Sequence, residues 1–159
     1  MQPLYIFDLD GTLADVSHRL HFINGERKDY NAFFKASIND TPIEATVSLL
    51  HRLRASGARI MIWTGRSDIV KDDTLAWLDQ YVCRTDTFSN TDLAYMQSIL
   101  TMRKDSDHRH DHVIKQEWLQ ALPANVRASI NGVFEDRSSV VDMWRRNGIV
   151  CYQVAPGDF

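Results

Sequence analysis

The stretch Leu4-Tyr5-Ile6-Phe7-Asp8-Leu9-Asp10-Gly11-Thr12-Leu13 decides the reading of this chain. Leu4 to Phe7 form a short apolar run of the kind found in strands buried on both faces. Two carboxylates follow at a spacing of two, then a Gly-Thr turn signal. Period-two geometry sends Asp8 and Asp10 the same way from the strand's carboxyl end. Like charges held together are costly unless a cation or a shared proton offsets them. A strand ending in such a pair points to chemistry.

Outward from that strand the chain alternates. Residues 14–41 form a polar insertion with a short amphipathic piece around Phe33 and Phe34. Thr41-Pro42-x-Glu44 predicts a helix start, with Thr41 as cap, and the helix carries Val47, Leu49, Leu50 and Leu53 to a stop at Gly57. Residues 58–63 predict a second strand that runs into Thr64-Gly65-Arg66, and a helix over 68–81 is opened by Ser67 or Asp68. Residues 84–97 match no pattern, and 98–102 predict a third strand. A charged loop, 103–112, leads into a helix with Val113, Ile114, Trp118 and Leu119. A fourth strand, 129–134, ends at Glu135-Asp136, and a helix through Val140, Val141 and Trp144 precedes a fifth strand at 149–154. Strand–helix alternation of this kind implies an α/β fold, a central parallel sheet with helices on both faces. Ligands of such sheets bind beyond the strands' carboxyl ends, so Asp8-x-Asp10, Thr64-Gly65-Arg66 and Glu135-Asp136 should meet at one rim.

Composition limits the alternatives. At 159 residues the chain is one domain by size, 1–159, with 14–41 as a small cap insertion. A net charge of −3 advertises no global attraction to nucleic acid or acidic membrane, although a local basic patch is compatible with it. Cys83 and Cys151 lie in no metal-ligand spacing and read as reduced thiols of a cytoplasmic protein. No apolar run approaches the ~20 residues of a membrane span.

The rim would gather hard oxygen ligands suited to Mg²⁺, with Mn²⁺ fitting equally well. Beside such an ion Asp8 is placed to attack phosphorus, and Asp10 to protonate the leaving oxygen and later activate water. Thr64 and the amides near Leu9, Asp10 and Gly65 would hold phosphoryl oxygens, with Lys115 as the additional positive charge.

Taken in order, Asp8-Leu-Asp10-Gly-Thr12, Thr64-Gly-Arg66, Lys115 and Glu135-Asp136 resemble the four motifs of the haloacid dehalogenase phosphohydrolase superfamily. A closer resemblance is to the 3′-phosphatase half of bacteriophage-type polynucleotide kinase/phosphatase. It is carried by Arg103-Lys-x-x-Asp107-x-Arg109-x-Asp111-x-x-x-Lys115, by Glu135-Asp-Arg137-Ser-Ser-Val-Val-Asp142-Met-Trp-Arg-Arg146, and by the ending from Cys151 to Phe159. The resemblance implies a three-layer, Rossmann-like fold with sheet order 5-4-1-2-3. It implies Asp8 as nucleophile and Asp10 as acid/base, Mg²⁺ held by Asp8, the Asp10 carbonyl and Asp136, and Thr64 and Lys115 on the phosphate. Glu135-Asp136 stands where the family has Asp-Asp, which makes Glu135 a further candidate ligand. No GxxxxGK[ST] phosphate loop for a kinase occurs in the sequence.

The basic stretch Arg103, Lys104, His108, Arg109, His110 and His112 reads either as a solvated loop or as an electrostatic lip for a second phosphate. Arg19 and Arg66 join Gly65, Arg103 and Arg109 as expected substrate contacts. Trp63, Trp77, Trp118 and Trp144 read as core. The expected activity is a metal-dependent phosphomonoesterase on nucleic-acid 3′ ends or nucleotides, with no membrane and no obligate protein partner. The rival readings are a deoxynucleoside 5′-monophosphate phosphatase and, from another class, a non-catalytic phosphate-binding module.

Overall fold

The structure, a computed structural model, describes residues 2–83 and 93–157. Its strands, in chain order, are β1 (Leu4–Phe7), β2 (Ala14–Asp15), β3 (Thr41–Pro42), β4 (Arg59–Ser67), β5 (Leu100–Arg103), β6 (Ile130–Glu135) and β7 (Cys151–Gln153). The helices are α1 (Tyr30–Lys35), α2 (Glu44–Ala55), α3 (Lys71–Leu78), α4 (Leu93–Ile99), α5 (Asp111–Ala121), α6 (Ala124–Arg127) and α7 (Ser138–Arg146). Five strands form one parallel sheet in the order β5-β4-β1-β6-β7. Counted along the chain, those five segments run 5-4-1-2-3 from the β7 edge, the expected topology. β1 lies at the centre. The chain leaves it in one direction for β4 and β5 and in the other for β6 and β7, so the crevice of the switch opens beyond the carboxyl end of β1.

The pleat of β1 divides the core. Phe7 faces a cluster with Ile62 of β4 and with Leu50, Leu75, Trp77 and Met96, supplied by α2, α3 and α4. Leu4 and Ile6 face the other side, where Leu119, Val140, Met143 and Trp144 of α5 and α7 pack. Trp63, Trp77 and Trp144 are buried, and Trp118 packs edge-on against Trp63 at the margin of the second cluster. The two thiols are unpaired and buried, and burial pushes Cys151 up to about 12. Among the described residues no helix is long and apolar enough to cross a membrane.

Several boundaries differ from expectation. Thr41-Pro42 does not cap a helix: it pairs antiparallel with Ala14–Asp15 and closes the insertion on a two-residue ladder, so α2 starts at Glu44. The insertion is thereby a compact flap of α1 and two 3-10 turns, Ser17–Phe22 and Ala36–Asn39. β4 runs straight through the expected Thr64-Gly65-Arg66 turn to Ser67, where it rejoins β5 at Arg103 after an irregular register. The third strand starts at Leu100 rather than residue 98, because Met96 and Ile99, one helical turn apart, are both buried as the inner face of α4. Leu49 is on the outer face of α2. Of the unassigned span 84–97, residues 84–92 lie outside the described residues, as do Asp158 and Phe159 of the terminal motif.

Candidate active site

Beyond the carboxyl ends of β1 and β6, three carboxylates converge. Asp8, Glu135 and Asp136 each offer an oxygen within 4.8 Å of the others, and all three are buried. Lys115, from the first turns of α5, enters this cluster. Its Nζ donates to Asp8 Oδ1 at 2.6 Å and to Glu135 Oε2 at 2.7 Å. Lys115, expected from the sequence as the additional positive charge at the rim, is 2% exposed. Burial alone would lower its pKa, but Asp8 and then Glu135 outweigh that and keep the ammonium charged. Burial, then mutual repulsion, lifts Asp8 far above the usual carboxylate range. Burial lifts Glu135 against the opposing pull of Lys115, and burial with the Asp8 charge lifts Asp136 to about 6. With all three acids ionised, the single ammonium among these four residues leaves a deficit of two charges, which Arg137 offsets only in part at Asp136. An all-oxygen donor set of that deficit fits a divalent cation.

Glycine makes the convergence possible. Gly11 has φ +81°, and a Cβ there would collide with the Asp136 carboxylate. A Cβ on Gly157 would strike the Asp136 carbonyl, and the Gln153 side chain donates to that same carbonyl at 2.9 Å. The turn after Asp8 and the segment after β7 therefore hold Asp136 from two sides.

Asp10 points into a different network. Its Oδ1 accepts from Arg19 Nη2 at 2.8 Å and from Arg66 Nε and Nη2 at 2.9 and 2.5 Å. Behind the arginines lies Asp40, whose carboxylate takes Arg19 Nε and Nη2 at 2.7 Å each, Arg66 Nη2 at 2.6 Å and His18 Nε2 at 2.8 Å. Burial would raise the Asp10 pKa, but Arg66 and then Arg19 reverse it and hold the carboxyl below its ordinary value. Thr64 is fully buried between the two networks, and its Oγ1 accepts the Arg66 N–H at 3.1 Å. That leaves the hydroxyl hydrogen available to donate.

The whole described frame, with this rim, matches known proteins. A family model for the phosphatase domain of the polynucleotide kinase PNKP covers residues 2–159. The chain belongs to that family. It is a phosphatase domain of haloacid dehalogenase type. A chain of the Pnkp1/Rnl/Hen1 RNA repair complex is 28% identical, with a TM-score of 0.72 over 99% of this chain and 44% of that one. This phosphatase domain thus spans less than half the length of the repair-complex chain. Class C acid phosphatase from Bacillus anthracis shares the fold at 13% identity and TM-score 0.61, over 99% of this chain and 69% of its own. A hydrolase from Streptococcus pneumoniae TIGR4 shares it at 14% identity and TM-score 0.52, over 98% and 94%.

Within the phosphatase domain, four of the five expected substrate contacts are committed elsewhere. Arg19 and Arg66 have fully buried side chains that serve Asp10 and Asp40. Two guanidiniums so enclosed have no face left for a ligand. Arg103 donates to the carbonyls of Gly65, Asp107 and Arg109 and pairs with Asp111, which makes it the staple of its loop. Arg109 is bound by Asp107 and Glu117, and Lys104 by Asp68. Of the two readings of this stretch, these pairings favour the solvated loop over the electrostatic lip. Gly65 is where Asp111 approaches the strand, and a Cβ there would stand 2.6 Å from its carboxylate.

The sequence assigns Asp40 no role and Asp111 only a place in the motif that leads to Lys115. Asp40 falls in the polar insertion beside Thr41-Pro42, yet it is 1% exposed and bonded to three cationic or titratable side chains. Asp111 takes both Arg103 and Arg137, the latter at 3.0 Å. Besides its place in that motif, its signal is its position four residues before Lys115, one helical turn away on the same face.

Proposed function

We propose that this domain is a divalent-metal-dependent phosphomonoesterase that passes through a phosphorylated Asp8, and that its substrates are phosphate-bearing ends of nucleic acids or nucleotides. The observation that carries it is the Asp8–Lys115–Glu135–Asp136 cluster, an acid at a strand end held by one ammonium and short of two positive charges. Asp8, Asp136 and the Asp10 carbonyl, with Glu135 as a further candidate, would hold the ion, Mg²⁺ or Mn²⁺. When bound, it supplies charge neutralisation and polarisation of a phosphoryl oxygen.

The chain's own groups supply the rest. A carboxylate oxygen of Asp8 attacks phosphorus while the bond to the leaving oxygen breaks. Lys115 fixes the Asp8 carboxylate and faces the charge that develops on the phosphoryl oxygens. Thr64 donates its hydroxyl to one of these oxygens, beside the peptide N–H groups of Leu9, Asp10 and Gly65. Asp10 gives a proton to the leaving oxygen. It then accepts one from the water that attacks the phosphorylated Asp8, releasing inorganic phosphate and restoring both acids. The arginines hold Asp10 ionised, as the second half-reaction requires. An incoming phosphate dianion raises its proton affinity by like-charge repulsion, as the first half-reaction requires.

Family membership favours a polynucleotide terminus, and so does the shortness of the 14–41 flap, closed on a two-residue ladder rather than built as a large cap. The internal pairing of Arg103, Lys104 and Arg109 favours the second reading, a free nucleotide, because few cations near the mouth remain to track a phosphate backbone. The test is a panel of 3′-phosphorylated oligonucleotides against free 3′- and 5′-mononucleotides, with divalent ion and with chelator. Turnover of mononucleotides alone rejects the polynucleotide reading. Absence of any metal-dependent release above an Asp8→Asn control rejects the phosphatase reading and leaves a phosphate-binding module. Activity of the isolated chain checks the expectation that no protein partner is needed.

A further inference from the structure

We infer that Asp40 is a positioning residue for Asp10, deciding which Asp10 oxygen meets the reacting phosphate. The inference rests on the phosphatase reading above. All three bonds from Arg19 and Arg66 fall on Asp10 Oδ1, and among the described residues none falls on Oδ2. The same two Nη2 groups that reach Asp10 also reach Asp40 Oδ2, at 2.7 and 2.6 Å. Each terminal nitrogen is therefore shared between two carboxylates on opposite sides. The quartet of two acids and two arginines is electrically balanced, and its inner acid is fully buried.

Charge balance makes the geometry directional. Without the Asp40 carboxylate, two guanidiniums would face Asp10 as their only anion and would turn onto both of its oxygens. Asp10 would then lose the unbound Oδ2 that is left to face the reacting phosphate. Asp40 also reaches beyond the quartet. Its backbone carbonyl accepts Trp77 Nε1–H at 2.7 Å, and its carboxylate takes His18 at the surface of the flap. The position of Asp10 is thus set from the insertion and from α3 together, by a residue that touches neither substrate nor cluster of Asp8.

The test separates a proton-transfer defect from a folding defect by the leaving group. A nucleoside alkoxide needs a proton as it departs, while a nitrophenolate leaves unaided. The value of kcat/KM reports formation of phosphorylated Asp8, and its ratio between two substrates does not depend on how much of a variant is folded. For Asp40→Asn, kcat/KM on a 3′-mononucleotide should fall about 30-fold or more and on p-nitrophenyl phosphate less than about threefold. Asp10→Asn should shift the ratio further in the same direction. An Asp40→Asn ratio within about twofold of wild type overturns the inference. If that variant yields no active protein, His18→Ala removes one partner of Asp40 from the exposed side. A same-direction shift of about twofold supports the role, and an unchanged ratio overturns it. A wild type that releases phosphate from neither substrate in an Asp8-dependent way rejects the phosphatase reading itself.

Discussion

Two buried charge clusters stand side by side at the strand ends, and they are built on opposite rules. Asp10, Arg19, Arg66 and Asp40 alternate in sign and cancel. Asp8, Glu135, Asp136 and Lys115 do not cancel, and burial pushes the three acids toward their protonated forms. A balanced cluster is a support. An unbalanced one stores a preference for something that is still to bind, and the site's function follows from that deficit rather than from the number of acids.

The largest effects should come from breaking the unbalanced cluster. Asp8→Asn should abolish turnover, a loss of roughly 10⁴-fold or more. It should also raise metal-free stability near neutral pH, because one of three mutually repelling acids is gone; a melt at pH 8 checks the sign. Lys115→Met removes the single cation. Activity should fall about 10²–10³-fold. Breaking a buried pair in this way costs about 3–5 kcal/mol, and the cost should be greatest where the acids are ionised and shrink toward pH 5. Equal destabilisation at both pH values would contradict the charge-deficit account.

The two clusters should also respond to pH in opposite directions. Asp136 binds its proton more tightly folded than unfolded, with its pKa raised from 3.8 to about 6, and Asp8 shares the direction. The folded chain then holds more protons than the unfolded chain between those values, so metal-free stability falls as pH rises through them. Asp10 is depressed, so its contribution is present above its unfolded value of 3.8 and is lost as pH falls through the lower folded value. Metal-free melting temperature should therefore peak at about pH 4 and decline from there toward neutrality. Saturating Mg²⁺ or Mn²⁺ should move the peak toward neutrality. At a hundredfold excess over Kd an ion adds about 2.7 kcal/mol, or roughly 5–10 °C for a chain of this size. A divalent-ion shift no larger at pH 8 than at pH 5 would show that the three acids are not where the ion binds.

How much of this was legible in the sequence follows the same division. The unbalanced cluster was readable, since Asp8, Lys115 and Glu135-Asp136 sit at strand ends or in motif order, and the alternation of elements determined which ends meet. The balanced cluster was not. Arg19 and Arg66 were seen but assigned to substrate, because a sequence shows a cation near a site and not the acid behind it. Asp40 was hidden because the chain beside it forms a ladder with Ala14–Asp15, a pairing of two residues that no periodicity reveals. In the 103–112 loop the sequence leaves the pairing open: Arg103 and Arg109 take Asp111 and Asp107 from the loop itself, whereas Asp68 and Glu117 come from other segments. Gly11 was read as a turn signal, yet its second role, admitting the Asp136 carboxylate, depends on a residue more than a hundred positions away.

The smallest expected effect bears on that loop. Each phosphate neutralised on a single strand adds about 0.7 to the slope of log affinity against log salt. A mouth that tracked five phosphates would lose roughly 100-fold in affinity between 50 and 200 mM salt, and one that grips only the terminal phosphate about threefold. With Arg103, Lys104 and Arg109 already paired, the shallow slope is expected. KM for a 3′-phosphorylated oligonucleotide measured across that range decides the matter, and Arg109→Gln should leave it almost unchanged, because the guanidinium is bound by Asp107 and Glu117 rather than by substrate. A steep slope that flattens in Arg109→Gln would mean that the substrate opens these pairs, and would return the loop to the role its composition first suggested.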